Sequence, residues 1–234
     1  MGTAGSQHPD IRPTRILIVD DHPIVRQGLA RLIGRDPGLR VCGEAGNAAE
    51  ALKLLHAERP DLVILDLSLA TGSGLELAKD IQARWPGLPM LMLSMYDEAF
   101  CAERALRAGA KGYIMKDQAA DEVLTAIRKV LRGEIYLSDK MTGRMVQQAV
   151  SGVREPMTSP VERLSNRELE IFQLISQGMS TREIAEALHL SVKTIETHKA
   201  HIKEKLGIAR APDLLFHAIH WAQETSAGEH PPSG

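Results

Sequence analysis

Between Arg15 and Arg132, five short runs rich in aliphatic and β-branched residues alternate with amphipathic stretches, and no other feature restricts the fold as much. Strands are expected at Arg15–Asp20, Leu39–Ala45, Asp61–Asp66, Pro89–Ser94 and Lys111–Lys116. The segments between them are long enough for the crossover helices that parallel strands require. Apolar residues in these segments recur at helical spacing. Ile24, Val25, Leu29, Leu32 and Ile33 form one stripe, and Val123, Leu124, Ile127, Val130 and Leu131 form another. The pattern predicts an α/β fold, a doubly wound five-stranded parallel sheet covered by helices.

The sheet accounts for only part of the 234 residues. Beyond Leu137 the periodicity weakens, and Gly152, Pro156 and Pro160 break any continuous helix, so residues 136–162 read as a linker. From Leu164 to Trp221 the pattern is only helical. Ser165-Asn166-Arg167-Glu168 and Ser180-Thr181-Arg182-Glu183 both have the Ser-x-x-Glu form of a capping box. They predict helices at Asn166–Gln177, ended by Gly178, and at Thr181–Leu188. A third helix, Val192–Leu206, is capped by Ser191 and stopped by Gly207. Helices this short need a shared core, which Leu169, Phe172, Ile184, Ala185, Leu188, Leu190, Ile195, Ile202 and Leu206 can supply. The expected organisation is a flexible leader (1–13), the sheet domain (14–135), the linker (136–162), a small all-α domain (163–223) and a disordered tail (224–234).

A net charge of -2 means that any nucleic-acid site must arise from local arrangement and not from bulk charge. Cys42 and Cys101, without metal-type spacing, read as buried thiols in a reducing compartment. No apolar run approaches the roughly 18–20 residues of a membrane span. A cytoplasmic protein without membrane association is expected.

Two strands run into aspartate: Ile16-Leu17-Ile18-Val19 leads to Asp20-Asp21, and Leu62-Val63-Ile64-Leu65 leads to Asp66. In an open parallel sheet, functional groups gather at the carboxyl ends of the strands. Three carboxylates there repel one another, and a hard divalent cation such as Mg²⁺ offsets the repulsion. The fourth and fifth strands bring Ser94 and Lys116 to the same edge. Nucleophile, cation and ammonium together are what phosphoryl transfer requires, with Asp66 as the candidate nucleophile. Taken singly, each residue has a plainer reading as a turn or cap.

Over residues 14–132 the chain resembles the receiver domains of two-component response regulators. The resemblance rests on Asp20-Asp21, on Asp66, on Ser94 in LMLSMYDE, and on AGAKGYIMKD with Tyr113 and Lys116. It implies that Asp66 is phosphorylated by a sensor histidine kinase. It also implies that Asp20, Asp21, Asp66 and the Ser68 carbonyl bind Mg²⁺, that Lys116 and Ser94 assist, and that Ser94 and Tyr113 form a switch pair. The chain departs from the family where a Met-Pro pair is common, carrying Leu69-Ala70 followed by Thr71-Gly72-Ser73-Gly74.

On the third helix of the second domain, Ile195, Ile202 and Leu206 mark the inward stripe, which turns Lys193, Glu196, Thr197 and Ala200 outward. Charge alone would leave this a solvated face. The run LSNRELEIFQLISQGMSTREIAEALHLSVKTIETHKAHIKEKLGI, however, resembles the LuxR-type helix-turn-helix that accompanies receivers in the NarL/FixJ family. It implies that Val192–Leu206 enters the major groove of double-stranded DNA. Glu196, Thr197 and Ala200 would then face bases, while Lys193, His198, Lys199 and Lys203 would face phosphates. A fourth helix with Leu214, Leu215, Ala218 and Ile219 resembles the family's dimerisation helix and equally suits core cover.

The function expected is a transcriptional response regulator, homodimeric when phosphorylated or DNA-bound, that accepts a phosphoryl group without being an independent enzyme. Two other classes share parts of the residue set. One is an interaction protein working without phosphorylation, and the other is a Mg²⁺-dependent phosphatase using Asp66 on external substrates.

Overall fold

A computed structural model describes residues 12–69, 73–95, 98–116, 120–151 and 160–227. Five parallel strands, β1 (Thr14–Val19), β2 (Leu39–Ala45), β3 (Leu62–Asp66), β4 (Met90–Ser94) and β5 (Gly112–Met115), form one sheet in the order β2-β1-β3-β4-β5. Between them run α1 (Pro23–Ile33), α2 (Ala48–Glu58), α3 (Gly74–Arg84) and α4 (Glu98–Arg107), and α5 (Ala120–Leu131) follows β5. The strand order reverses at β1, so the carboxyl ends of β1 and β3 adjoin at the switch point where doubly wound sheets place their sites. Register sets the heights there: Val19 pairs with Leu65, and Asp66 pairs with Leu93.

The core is built as the alternation predicts. Ile16, Ile18, Leu62, Ile64, Leu91, Leu93 and Ile114 pack with Leu29 and Ile33 of α1 and with Val123, Ile127 and Val130 of α5. Ile24 is a correction. It is 84% exposed, in the first turn of a helix whose Leu29 and Ile33 are buried. Cys101 is buried and Cys42 only half-buried, and neither forms a disulfide.

The chain divides into two compact units between Leu137 and Ser138. The predicted linker needs correction over its first half, where Asp139–Ser151 forms α6. Ser138 caps that helix, its hydroxyl accepting from the Met141 amide at 3.1 Å. The helix ends at Ser151, before Gly152, Pro156 and Pro160, the breakers on which the linker reading rests. Gly152 and Pro156 lie outside the described residues, as does the leader up to residue 11.

A 3-10 turn at Pro160–Arg163 precedes α7 (Asn166–Ser176), α8 (Thr181–Ala187), α9 (Val192–Leu206) and α10 (Ala211–Ala227). Both capping boxes are present, with Ser165 and Glu168 on α7 and Ser180 and Glu183 on α8. Gly178 and Gly207 take left-handed conformations past the ends of α7 and α9, at φ 81° and 69°. Phe172, Ile184, Ile195 and Ile202 are fully buried. The tail prediction is corrected in part, since α10 continues through residues 224–227. That helix packs its Leu214 and Ala218 inward and leaves Leu215, Phe216 and Ile219 exposed.

Candidate functional site

The strand ends bring Asp20, Asp66 and Lys116 into contact. Lys116 Nζ lies 2.7 Å from Asp66 Oδ2 and 2.7 Å from Asp20 Oδ2. Asp20 and Asp66 are 1% and 2% exposed, so the ammonium joins two carboxylates almost without solvent. Burial foremost pushes the Asp66 carboxyl up to about 7, with the Asp20 charge adding to the rise and Lys116 opposing it. For Lys116, burial alone would lower the pKa, but the charges of Asp66 and Asp20 outweigh it and hold the ammonium above its ordinary value.

Each group is held by backbone around it. Lys116 leaves β5 just where its own amide donates to the Ser94 carbonyl at 2.7 Å. Asp66 Oδ1 accepts from the Ser68 amide at 3.2 Å. Ser68 and Ser73 form an isolated bridge across the loop, and the Gly74 amide donates to the Leu67 carbonyl at 2.9 Å. The position that departs from the family's Met-Pro pair begins at Leu69, which is 2% exposed, whereas Ala70, Thr71 and Gly72 lie outside the described residues. Ser94 is fully buried at the end of β4. Tyr113, 1% exposed, stands on β5 opposite Met92, and its amide donates to the Tyr136 carbonyl.

The donor set suits a hard cation. Asp20, Asp21, His22 and Asp66 each bring one ligand atom, and these atoms lie within 4.8 Å of one another. Asp20 Oδ2 and Asp21 Oδ1 are buried acceptors. Lys116 Nζ lies 2.7 Å from the first and His22 Nδ1 2.9 Å from the second.

In the second unit, Lys193, Glu196, Thr197 and Ala200 are exposed along α9. Lys199 and Lys203 are half-buried. Thr181 Oγ1 at the start of α8 donates to Glu196 Oε1 at 2.9 Å and accepts from Lys199 Nζ at 2.8 Å, fastening the two helices of the motif together. His198 does not share the exposed face. It is half-buried beside Arg167 and Glu168, its Nδ1 is shielded without a hydrogen bond, and burial, with Arg167, holds its pKa below the ordinary value. A neutral ring so placed brings no charge to a phosphate.

The same two-part arrangement occurs in known proteins. The family described as "Response regulator receiver domain" matches residues 16–128, and "Bacterial regulatory proteins, luxR family" matches residues 162–218. Oxygen regulatory protein NreC of Staphylococcus carnosus is 38% identical over 209 residues, which span 88% of this chain and 96% of that protein. The chain belongs to the NarL/FixJ family of response regulators. Among solved structures, a LuxR-family two-component response regulator from Aurantimonas sp. SI85-9A1 is 36% identical at a TM-score of 0.55. The similarity covers 59% of this chain and 99% of that one. RcsB from Salmonella enterica serovar Typhimurium, bound to promoter P1flhDC in the presence of a phosphomimetic, is 26% identical at a TM-score of 0.56. There the coverage is 88% of this chain and 98% of that one.

Within this NarL/FixJ member, sequence reasoning gathered the acidic residues and Lys116 but passed over three neighbours. Gly74 lies so close beneath Asp66 that a Cβ there would stand 1.9 Å from the Asp66 carbonyl oxygen. Thr181 organises Glu196 and Lys199, and only a contact between helices reveals it. His22 carried a readable signal: it occupies the N-cap of α1, where Ser, Thr, Asp or Asn is preferred, and its side chain caps nothing.

Proposed function

We propose that this chain is a transcriptional response regulator in which Asp66 accepts a phosphoryl group from the phosphohistidine of a sensor kinase and α9 reads double-stranded DNA. The observation that carries this reading is the buried Asp66 carboxylate with Lys116 Nζ at 2.7 Å. An Asp66 oxygen attacks phosphorus, forming a P–O bond as the P–N bond to the kinase histidine breaks, and the leaving imidazole retains the electron pair. Lys116 then faces the new phosphoryl oxygens with a charge already held in place by Asp20. When bound at Asp20, Asp21, Asp66 and the Ser68 carbonyl, Mg²⁺ supplies further neutralisation of developing charge. The buried Ser94 hydroxyl stands at the adjoining strand end, and its turn toward the phosphoryl group would change the packing around Tyr113 and so the face of α4.

On the DNA side, Lys193 and Lys203 would meet phosphates while Glu196, Thr197 and Ala200 meet base edges. The exposed Leu215, Phe216 and Ile219 of α10 suit a homodimer on a two-fold site, where joining two binding domains raises affinity through effective concentration. Among the described residues no helix is long and apolar enough to cross a membrane. Asp66 acts as an acceptor and not as an independent enzyme. A cleft of about 490 Å³ lined by Leu55, His56, Arg59 and Trp85 lies at the amino ends of the strands, away from the carboxylates.

Incubation with a small phosphodonor such as acetyl phosphate and Mg²⁺ tests the proposal. Label should enter the wild type and be absent from Asp66→Asn, and phosphorylated protein should bind its selected DNA more tightly than unphosphorylated protein. Label retained on the substituted protein removes Asp66 from the role.

A further inference from the structure

We infer that His22 is a nitrogen ligand of the cation held by Asp20, Asp21 and Asp66, and that it shifts the site's preference from Mg²⁺ toward Zn²⁺. The inference rests on the reading of these carboxylates as a cation site and adds a ligand of different chemistry to it.

The placement begins in the chain itself. His22 follows Asp20-Asp21 directly and precedes Pro23, whose ring fixes φ at the first turn of α1. With φ −88° and ψ 109°, His22 is extended, and its side chain makes no capping hydrogen bond to the helix. Its amide donates to Asp20 Oδ1 at 2.8 Å, which turns the residue back over the carboxylates. The ring follows. Nδ1 lies 3.2 Å from Asp20 Oδ1 and 2.9 Å from Asp21 Oδ1.

Those separations are the edges of a coordination polyhedron. Ligands about 2.1 Å from a six-coordinate cation stand about 3 Å apart when they occupy neighbouring positions. Asp20 Oδ2, meanwhile, is almost wholly buried and meets Lys116 Nζ at 2.7 Å, and a carboxylate with about four lone-pair sites still retains acceptor capacity for a cation. The ring side chain is about half exposed, so a cation can enter from its side.

Ligand chemistry sets the consequence. Carboxylates, carbonyls and water suit Mg²⁺ and Mn²⁺, whereas imidazole suits Zn²⁺. A site of oxygen ligands plus one imidazole therefore takes Zn²⁺ more readily than an all-oxygen site would. The competing account makes His22 a counter-ion to Asp20 and Asp21, in which case an entering cation displaces the ring.

Electron spin-echo spectroscopy of Mn²⁺ bound to the full-length chain separates the two, because it detects a directly bound nitrogen. Imidazole ¹⁴N modulation is expected in the wild type and should vanish in His22→Gln while Mn²⁺ stays bound. In competition titrations the ratio of Zn²⁺ to Mg²⁺ affinity should fall about tenfold or more in that variant, since even outer-shell partners are worth about 10–100-fold. Bound Mn²⁺ without nitrogen modulation, or modulation that survives His22→Gln, overturns the inference and leaves the carboxylate site standing. Failure of the wild type to bind Mn²⁺ overturns the inference and also the cation site beneath it.

Discussion

Gly74 and Asp66 are in backbone contact across the β3–α3 loop, so close that a Cβ at position 74 would lie 1.9 Å from the Asp66 carbonyl oxygen. No real Cβ tolerates that separation, and the obstacle is backbone that cannot swing aside. Gly74→Ala must therefore push the start of α3 away from the end of β3. Overpacking of this kind costs about 1–3 kcal/mol. It also moves Asp66 relative to Lys116, so we expect lower thermal stability together with slower labelling by acetyl phosphate. Ser73→Ala, which removes only the hydroxyl that accepts from the Leu75 amide, is the control and should cost about 1 kcal/mol with labelling largely retained.

A second expectation follows from the raised Asp66 pKa. The folded protein holds a proton on Asp66 up to about pH 7, where an unfolded aspartate has lost it near pH 4. Between those values the native state binds more protons than the unfolded state. The contribution is thus fully present below about pH 4 and is lost as pH rises through about 7. In chelator-treated protein, the stability of the wild type relative to Asp66→Asn should decline across that window. Denaturant titrations at pH 5, 6, 7 and 8 measure it. A difference that is flat or rises with pH contradicts the raised value.

Much of this site was legible because strand periodicity and the ends of strands are local properties. Once Asp20, Asp66, Ser94 and Lys116 are each assigned to a strand end, parallel topology alone brings them together. Capping boxes are equally local, which is why α7, α8 and α9 begin where Ser165, Ser180 and Ser191 place them. Most failures have the opposite character. Ile24 fits the apolar stripe of α1, yet it is 84% exposed, since burial depends on what packs against the helix and not on its own pattern. α6 has a capped start at Ser138, but the breakers Gly152, Pro156 and Pro160 that follow it make the whole stretch read as linker, although the helix ends before them. His198 is given a phosphate by resemblance alone, whereas its half-buried place beside Arg167 and Glu168 of α7 depends on a contact between helices. In α10, Leu214 and Leu215 are adjacent in sequence, yet the first is buried and the second exposed.

Glu168 links three parts of the second unit and gives a third prediction. Its carboxylate accepts from the Ser165 amide at 2.6 Å and from Lys205 Nζ on α9 at 2.6 Å. Burial alone would raise its pKa, but Lys205 and the Ser165 amide and hydroxyl outweigh that and hold the carboxyl below the ordinary range. Its stabilising contribution is present above the unfolded pKa and is lost as pH falls through the depressed folded value. Glu168→Gln keeps the shape and can still cap, yet it surrenders the charge. We expect a loss of about 1.5–3 kcal/mol at pH 7 that narrows toward zero as pH falls below about 4. Trp221, whose ring packs 5.4 Å from Phe172, reports unfolding of this unit when Trp85 is replaced by phenylalanine.

The α9 lysines differ in what they hold, and DNA binding should separate them. Lys193 is exposed at the start of the helix, so Lys193→Ala removes a charge and little else. Affinity should fall by a similar factor on every sequence, and the slope of log affinity against log salt should shrink by about 0.9. Lys199 also fastens α9 to α8 through Thr181 and stands 3.7 Å from Glu196. Lys199→Ala should therefore lower thermal stability as well as affinity, and it frees Glu196, a candidate base-contacting residue, to change its orientation. Thr181→Val isolates the tie, because it removes the shared hydroxyl and leaves the lysine charge in place. We expect Thr181→Val to retain the wild-type salt slope while broadening sequence preference in selections from a random DNA pool. Fluorescence anisotropy across a salt series, repeated on selected and unrelated duplexes, measures both quantities. An unchanged slope for Lys193→Ala would remove it from the phosphate contacts, and unaltered selectivity in Thr181→Val would show that Glu196 does not depend on the tie.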